Sequence, residues 1–272
     1  MSRSVVIVGS FDNLRSCDIR FLEEASNLGQ ITVFVPTDET IRAQSGTSPK
    51  FPLAERLYML RALRFVTAAV PLDPTTPIVG LPEPKRWVGA LWVDICGPLN
   101  EARSRFCDLH GLQYRILEES KLQGFPQPLP PLGSTVRKRV VVTGSFDWLH
   151  SGHVRFFEEV SGYGDLYVVV GHDANIRLLK GDGHPLLSQD ERRYMVSSVR
   201  YVTQALVSSG EGWLDADPEI QTIKPDIYAV NPDGDRGGKR QYCLERGIQY
   251  LVLQRIPAEG LPPRTSTELR GF

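Results

Sequence analysis

Two histidines, His150 and His153, flank Ser151-Gly152 at the end of Val140-Val141-Val142-Thr143-Gly144-Ser145-Phe146-Asp147-Trp148-Leu149-His150-Ser151-Gly152-His153. Two imidazoles held at a glycine turn can donate to phosphate oxygens. Near the other end, Pro262-Pro263-Arg264-Thr265-Ser266-Thr267-Glu268-Leu269-Arg270 gathers hydroxyls at a helix start. The hydroxyls alone would be an ordinary helix cap. Arg270 lies one turn on from Ser266 and Thr267, so hydroxyls, backbone N–H groups and a guanidinium would make a second anion site. Lys180, in Lys180-Gly181-Asp182-Gly183-His184-Pro185, reads either as a solvated lysine of a mobile loop or as a charge that closes over a polyphosphate.

These groups suit a nucleoside triphosphate. The chemistry that fits is direct attack by a substrate phosphate on the nucleotide α-phosphorus, with pyrophosphate leaving. The protein would align the reactants and neutralise charge spreading onto phosphate oxygens. No Ser-His-Asp or Cys-His order supports a covalent nucleophile. The phosphate loop Gly-x-x-x-x-Gly-Lys-Ser/Thr is absent. No third ligand follows the histidines at metal spacing, so no protein-held metal is expected.

The elements that must position these residues can be read around them. Val140–Thr143 is an apolar, β-branched run, hence a buried strand that Gly144 ends. A helical pattern begins at Val154. Strand, glycine turn and helix place unpaired N–H groups and a positive dipole end at the turn.

The same plan occurs earlier in the chain. Val5-Val6-Ile7-Val8-Gly9-Ser10-Phe11-Asp12-Asn13-Leu14-Arg15-Ser16-Cys17-Asp18 aligns with Val140 to His153 at an offset of 135. Later matches include Glu55-Arg56 with Glu191-Arg192, Arg64-Phe65-Val66-Thr67 with Arg200-Tyr201-Val202-Thr203, and Cys107 with Cys243. Duplication of one domain explains a match in both spacing and polar identity. The reading is two halves, 1–122 and 138–272, joined by a proline-rich linker at 123–137. Each half alternates strands and helices, which implies a parallel sheet with helices on both faces and ligands at the carboxyl ends of the strands. In the second half, strands are expected at 201–207, 226–230 and 250–253, with a helix over 238–246.

Arg15 and Asp18 occupy the histidine positions in the first half, and Cys17 the glycine position. A carboxylate at that point opposes phosphate binding. Ser134-Thr135 with Lys138 reads as a decayed closing motif. The first half is therefore expected to fold without catalysing, leaving one active site per chain. The two halves would be able to pair as a pseudo-dimer.

The net charge of −1 over 272 residues gives no basic field for nucleic acid. No apolar segment is long enough to span a bilayer, and no signal peptide is visible. Four cysteines without a Cys-x-x-Cys pair fit reduced thiols in the cytoplasm.

The 138–272 half resembles the nucleotidyltransferases with a His-x-Gly-His motif, and in particular ethanolamine-phosphate and glycerol-phosphate cytidylyltransferases. Gly144 to His153 looks like their first motif, Lys180 to Val196 like their lysine loop and following helix, and Thr265 to Arg270 like their closing signature. The resemblance implies two tandem Rossmann-like domains. It implies that His150 and His153 stabilise the transferring phosphate, and that Lys180 holds phosphates of nucleotide and acceptor. By the same likeness Thr265, Ser266, Thr267 and Arg270 bind the triphosphate. Gly144, Ser145, Phe146, Asp147 and Gly152 shape the nucleotide pocket, with Arg192 near it. A Mg²⁺ bound mainly through nucleotide phosphates is also implied. The activity expected on this likeness is transfer of CMP from CTP to a small phosphorylated alcohol or amino alcohol. Here, however, Arg264-Thr265 runs directly into Ser266-Thr267, closer to the short closing form of adenylyltransferases. That keeps ATP with a phosphorylated metabolite or nucleotide as the alternative. A non-catalytic nucleotide-binding scaffold is the alternative from another class. Tandem halves with one degenerate are a feature of ethanolamine-phosphate cytidylyltransferases, although there the first half is the better preserved.

Overall fold

A computed structural model of the protein describes residues 3–126, 136–254 and 256–269. The chain forms two compact units, Met1–Gly124 and Phe125–Phe272.

In the first unit the order is β1 (Ser4–Val8), α1 (Ser16–Ser26), β2 (Gln30–Val35), α2 (Asp38–Ser45), α3 (Leu53–Arg61), β3 (Val66–Pro71), β4 (Leu91–Asp94), α4 (Glu101–His110) and β5 (Gln113–Ile116). The second unit repeats it: β6 (Arg139–Gly144), α5 (Ser151–Ser161), β7 (Asp165–Val170), α6 (Asp173–Lys180), α7 (Gln189–Ser197), β8 (Val202–Val207), α8 (Asp217–Ile223), β9 (Ile227–Val230), α9 (Lys239–Glu245), β10 (Gln249–Val252) and α10 (Ser266–Leu269). Each unit holds one five-stranded sheet, in the orders β3-β2-β1-β4-β5 and β10-β9-β6-β7-β8. All pairings are parallel. This is the expected fold, a pair of Rossmann-like α/β units.

The duplication reaches fine detail. The pairing of β2 with β3 shifts register between Ile31 and Thr32, and that of β7 with β8 between Leu166 and Tyr167, at the same offset of 135. Phe11 and Phe146 both hold a left-handed backbone, with φ of 46° and 48°. Each ring lies under the glycine two residues before it, where a Cβ on Gly9 or Gly144 would come within 2.9 Å of the ring. Only glycine lets the chain turn so tightly at the strand end.

The apolar, β-branched strands fill the middle of each unit. In the second, Val141, Val169, Tyr228 and Val230 pack with Ile220, Ile223 and Cys243 from the helices. In the first, Val6, Phe34, Trp92 and Cys107 take the corresponding places. Strands reversing direction of succession at β6 leave a crevice between β6 and β9, the point where such sheets bind ligands.

The 123–137 stretch is only partly a spacer. Phe125 packs against Tyr194 with ring centroids 5.6 Å apart and planes at 33°, and Arg193 on α7 donates to the Pro126 carbonyl at 3.3 Å. Residues 127–135, including Ser134 and Thr135, lie outside the described residues. Among the described residues no helix is long and apolar enough to cross a membrane.

Candidate active site

The β6–α5 turn carries the histidines. Helix α5 starts at Ser151, earlier than the apolar periodicity suggests, because His150 itself caps it: its Nδ1 accepts from the Gly152 N–H at 3.1 Å. That bond makes Nδ1 the acceptor, so in the neutral ring the proton sits on Nε2. Nε2 lies 3.4 Å from Ser266 Oγ. His153 falls in the first turn of the helix, one step along the same face. The two imidazoles stack with centroids 3.9 Å apart and planes at 27°. Phe146 meets His153 edge-on at 5.2 Å and Phe157 at 5.2 Å, so the strained turn also sets the ring of the second histidine. Gly152 is packed beneath this arrangement. A Cβ there would lie 3.0 Å from the His150 ring and 3.1 Å from the Arg264 carbonyl.

A cleft of about 550 Å³ opens beside the pair at the carboxyl ends of the strands. Gly144, Ser145, Phe146, His153, Lys180, Thr265 and Ser266 line it. Lys180 is the last residue of α6 rather than part of a loop, because Gly181 ends the helix by donating to Arg177 O at 2.9 Å. Its ammonium donates to Ser145 Oγ at 2.7 Å, across the mouth of the turn. The side chain of Thr267 and the whole of Arg270 lie outside the described residues.

Three expected pocket residues, Asp147, Gly152 and Arg192, are not among those that line the cleft, and neither is His150, which sits behind His153 as the cap of α5. Asp147 is 2% exposed, and its carboxylate accepts from the Leu186 and Leu187 N–H groups at 2.7 and 3.1 Å. Arg192 is fully buried. Its guanidinium donates to Leu187 O at 2.9 Å, Ser145 O at 2.6 Å, Gly171 O at 2.8 Å and the Asp173 carboxylate at 2.7 Å. Both tie the loops around the cleft together instead of facing it. The first unit makes the same two struts, Asp12 to Lys50 N and Phe51 N, and Arg56 to Phe51 O, Ser10 O, Pro36 O and Asp38.

The β9 side of the cleft holds residues that sequence reasoning did not assign. Asn231, Asp233 and Lys239 line it together with Asp215. The Oδ1 of Asn231 is buried and has no hydrogen-bond partner in the protein. Lys239 donates to Gly234 O at 3.0 Å and lies over the Tyr228 ring at 6.0 Å. Burial holds its ammonium below the ordinary lysine range, against the pull of Asp215 and Asp235. The repeat carried a signal for this lysine: aligned on Cys107 and Cys243, Arg103 stands at its place. In the first unit that corner is closed. Arg103 and Tyr114 both bind the Asp94 carboxylate, at 2.5 and 2.6 Å, and the Trp92 indole N–H joins them at 3.1 Å.

The first unit's version of the histidine turn is also filled from within. The Asp18 carboxylate accepts from the Arg15 N–H at 2.8 Å, a carboxylate where the second unit carries His153. Burial raises the Asp18 pKa, opposed by that hydrogen bond. Ser45 stands where the second unit has Lys180. Among the described residues no three His, Cys, Asp or Glu side chains gather to hold a metal ion.

The profile of the cytidylyltransferase-like family matches residues 6–123 and 141–269. An FAD synthase of Methanocella paludicola is 33% identical over 135 residues, covering 48% of this chain and 93% of its own length. The FAD synthase of Methanospirillum hungatei is 43% identical over 132 residues, covering 47% and 80%. That of Methanopyrus kandleri is 38% identical over 135 residues, covering 48% and 87%. With both halves matched and the histidine turn, lysine and hydroxyl helix along one cleft, the chain belongs to the cytidylyltransferase-like family of nucleotidyltransferases.

Proposed function

We propose that the second unit transfers the AMP moiety of ATP to a phosphorylated metabolite and releases pyrophosphate. The observation that carries this reading is the stacked His150–His153 pair at the α5 start, with Ser266 at 3.4 Å and Lys180 on the same cleft. Imidazole, hydroxyl and ammonium donors gathered at one turn suit a pentavalent α-phosphorus with charge on its oxygens. An acceptor phosphate oxygen attacks, the bond to the β-phosphate breaks, and pyrophosphate carries away the electron pair. The residues act by alignment and charge stabilisation, with no covalent intermediate on the protein.

Two observations support ATP over CTP as donor. The relatives are named for FAD, an adenine dinucleotide. The closing motif has the short form, with Thr265 and Ser266 directly at the cleft. On the β9 side, Asn231 Oδ1, Asp233 and Lys239 offer hydrogen bonds for ribose and base. Mg²⁺ fits as a partner of the nucleotide phosphates and would offset their charge. The first unit is read as non-catalytic, since Asp18 takes the second-histidine position and Ser45 the lysine position.

Pyrophosphate release from ATP and from CTP, over a panel of phosphorylated acceptors with Mg²⁺, tests the reading. Release with ATP is expected. Release with CTP alone would reinstate the cytidylyltransferase reading, and none with either would refute catalysis.

A further inference from the structure

We infer that Thr143 is a further substrate-binding residue of the cleft, its hydroxyl hydrogen aimed by buried Tyr228 at a phosphate oxygen of the bound reactants. This rests on the adenylyl-transfer reading of the cleft and adds a donor to it. Thr143 stands on β6 directly before Gly144 and lines the cleft. Tyr228 stands on the neighbouring strand β9, where it pairs with Val141. Alternate residues of a strand share a face, so Thr143 lies diagonally across from Tyr228, within reach of its long side chain. The two hydroxyl oxygens are 2.8 Å apart.

Distance alone does not say which oxygen donates; burial does. Tyr228 is 0% exposed, and among the described residues its hydroxyl has Thr143 as its one hydrogen-bond partner. With Thr143 as donor, the Tyr228 hydrogen would be buried without an acceptor, which costs more than the bond returns. Tyr228 therefore donates and Thr143 Oγ1 accepts. Burial also pushes the Tyr228 pKa well above the ordinary tyrosine range, so the hydroxyl keeps its proton in neutral solution. A threonine hydroxyl has one hydrogen of its own. Among the described residues no second acceptor stands beside Oγ1, so that hydrogen is left to the cleft. The Tyr228 ring is itself held in place. Tyr250 meets it edge-on at 6.0 Å with planes at 84°, and the Lys239 ammonium lies 6.0 Å from its centroid. Packing, not the ligand, sets the direction of the hydrogen.

A donor fixed in this way favours an anion. Ser145, His153, Lys180, Thr265 and Ser266 line the same cleft and offer N–H or O–H groups to phosphate. Thr143 adds one more from the end of β6. A lone pair turned that way would repel a phosphate oxygen, and the bond from Tyr228 is what turns the hydrogen there instead. The first unit supplies the comparison. Val8 stands at the place of Thr143 and Trp92 at that of Tyr228, both buried in the core. The Trp92 indole N–H goes to Asp94. The same backbone plan thus packs well on valine and tryptophan, so the fold does not call for the two hydroxyls. They occur in the unit that carries the histidines and Lys180. A hydrogen bond to a charged oxygen is worth about ten- to a hundredfold in affinity.

The test reads binding and needs no turnover. Calorimetric titration of the full chain with an ATP analogue whose α,β-bridge cannot be cleaved gives one Kd. Titration with inorganic phosphate in the presence of that analogue, standing for the acceptor phosphate, gives a second. Thr143→Val should weaken one of the two probes about tenfold or more, and the probe affected tells whether nucleotide or acceptor supplies the oxygen. Thr143→Ser should stay within about threefold of the wild type. Tyr228→Phe should weaken the same probe by less, and should add nothing in the Thr143→Val background, because it acts through Thr143. Denaturant unfolding should move differently. Thr143→Val strands the Tyr228 hydroxyl and lowers stability, and the double variant, close to the apolar pair of the first unit, regains it. Where the single variant does not fold, the double variant set against Tyr228→Phe decides. Binding of neither probe to the wild type, no probe weakened by loss of the Thr143 hydroxyl, or an equal effect of Tyr228→Phe with and without that hydroxyl would overturn the assignment. Pyrophosphate release is read separately. Release from ATP, with affinities that Thr143→Val leaves alone, would sink the donor and leave adenylyl transfer standing. Binding that depends on Thr143, without release from ATP over any acceptor, would uphold the donor and sink adenylyl transfer.

Discussion

At the scale of the residue, the chain separates chemistry from scaffolding by what its two halves share. Gly9 and Gly144, Phe11 and Phe146, Asp12 and Asp147, and Arg56 and Arg192 stand at matching places and make the same contacts. His150, Gly152, His153 and Lys180 stand only in the second half. The first set builds the turn and its loops; the second is the set on which the proposed adenylyl transfer rests, with His153 and Lys180 lining the cleft. Reading the motif alone puts Asp147 and Arg192 in the nucleotide pocket, because a motif gives position along the chain and not side-chain direction. Arg192→Met should therefore act on stability first. It strands four acceptors around a buried site, and the loss should be about 3–5 kcal/mol by denaturant unfolding. Arg56→Met should show a loss of similar size in the first unit. Gly152→Ala should do the opposite. Its Cβ would press on the His150 ring at 3.0 Å, so kcat should fall about tenfold or more while the melting temperature stays within a few degrees. Equal kinetics in Gly152→Ala would mean that His150 is not held where this account needs it.

At the scale of the element, strands and helices were legible because their residues are periodic and apolar. Strands expected at 201–207, 226–230 and 250–253 form at Val202–Val207, Ile227–Val230 and Gln249–Val252. The helix expected over 238–246 runs over Lys239–Glu245. Less legible were features made by distant partners. The bond from Asn175 to Gly212 spans 37 positions, and neither residue type predicts it. The start of α5 also escaped periodicity, since its first turn is polar and is set by the His150 cap. Helices α4 and α9 each bury one cysteine completely against the sheet, and burial pushes both thiols, Cys107 and Cys243, up to about 11. Alkylation of the folded protein at pH 7.5 should then spare both, while Cys17, exposed on α1, reacts. Modification of Cys243 at the rate of Cys17, seen by peptide mass spectrometry, would contradict the packing described for α9.

At the scale of the whole molecule, the repeat was legible in the sequence, because matching polar and apolar residues at an offset of 135, and of 136 from Glu55 onward, have no other simple cause. The donor was not. CTP and ATP share their triphosphate, and the motifs report mainly on that part. One cradle per chain predicts one nucleotide per chain: calorimetric titration with a non-cleavable ATP analogue should saturate near one equivalent, and two equivalents of equal affinity would show that the first unit binds as well. The central claim is adenylyl transfer at the His150–His153 pair. Its most direct test follows the α-phosphorus of ATP in a single turnover with a phosphorylated acceptor and Mg²⁺. Label from the α-position should appear in the acceptor adduct and label from the γ-position in pyrophosphate, and His153→Ala should slow the step by about 100-fold or more with its fold intact. Label from the α-position in a protein adduct, or an unslowed His153→Ala enzyme, would contradict the account.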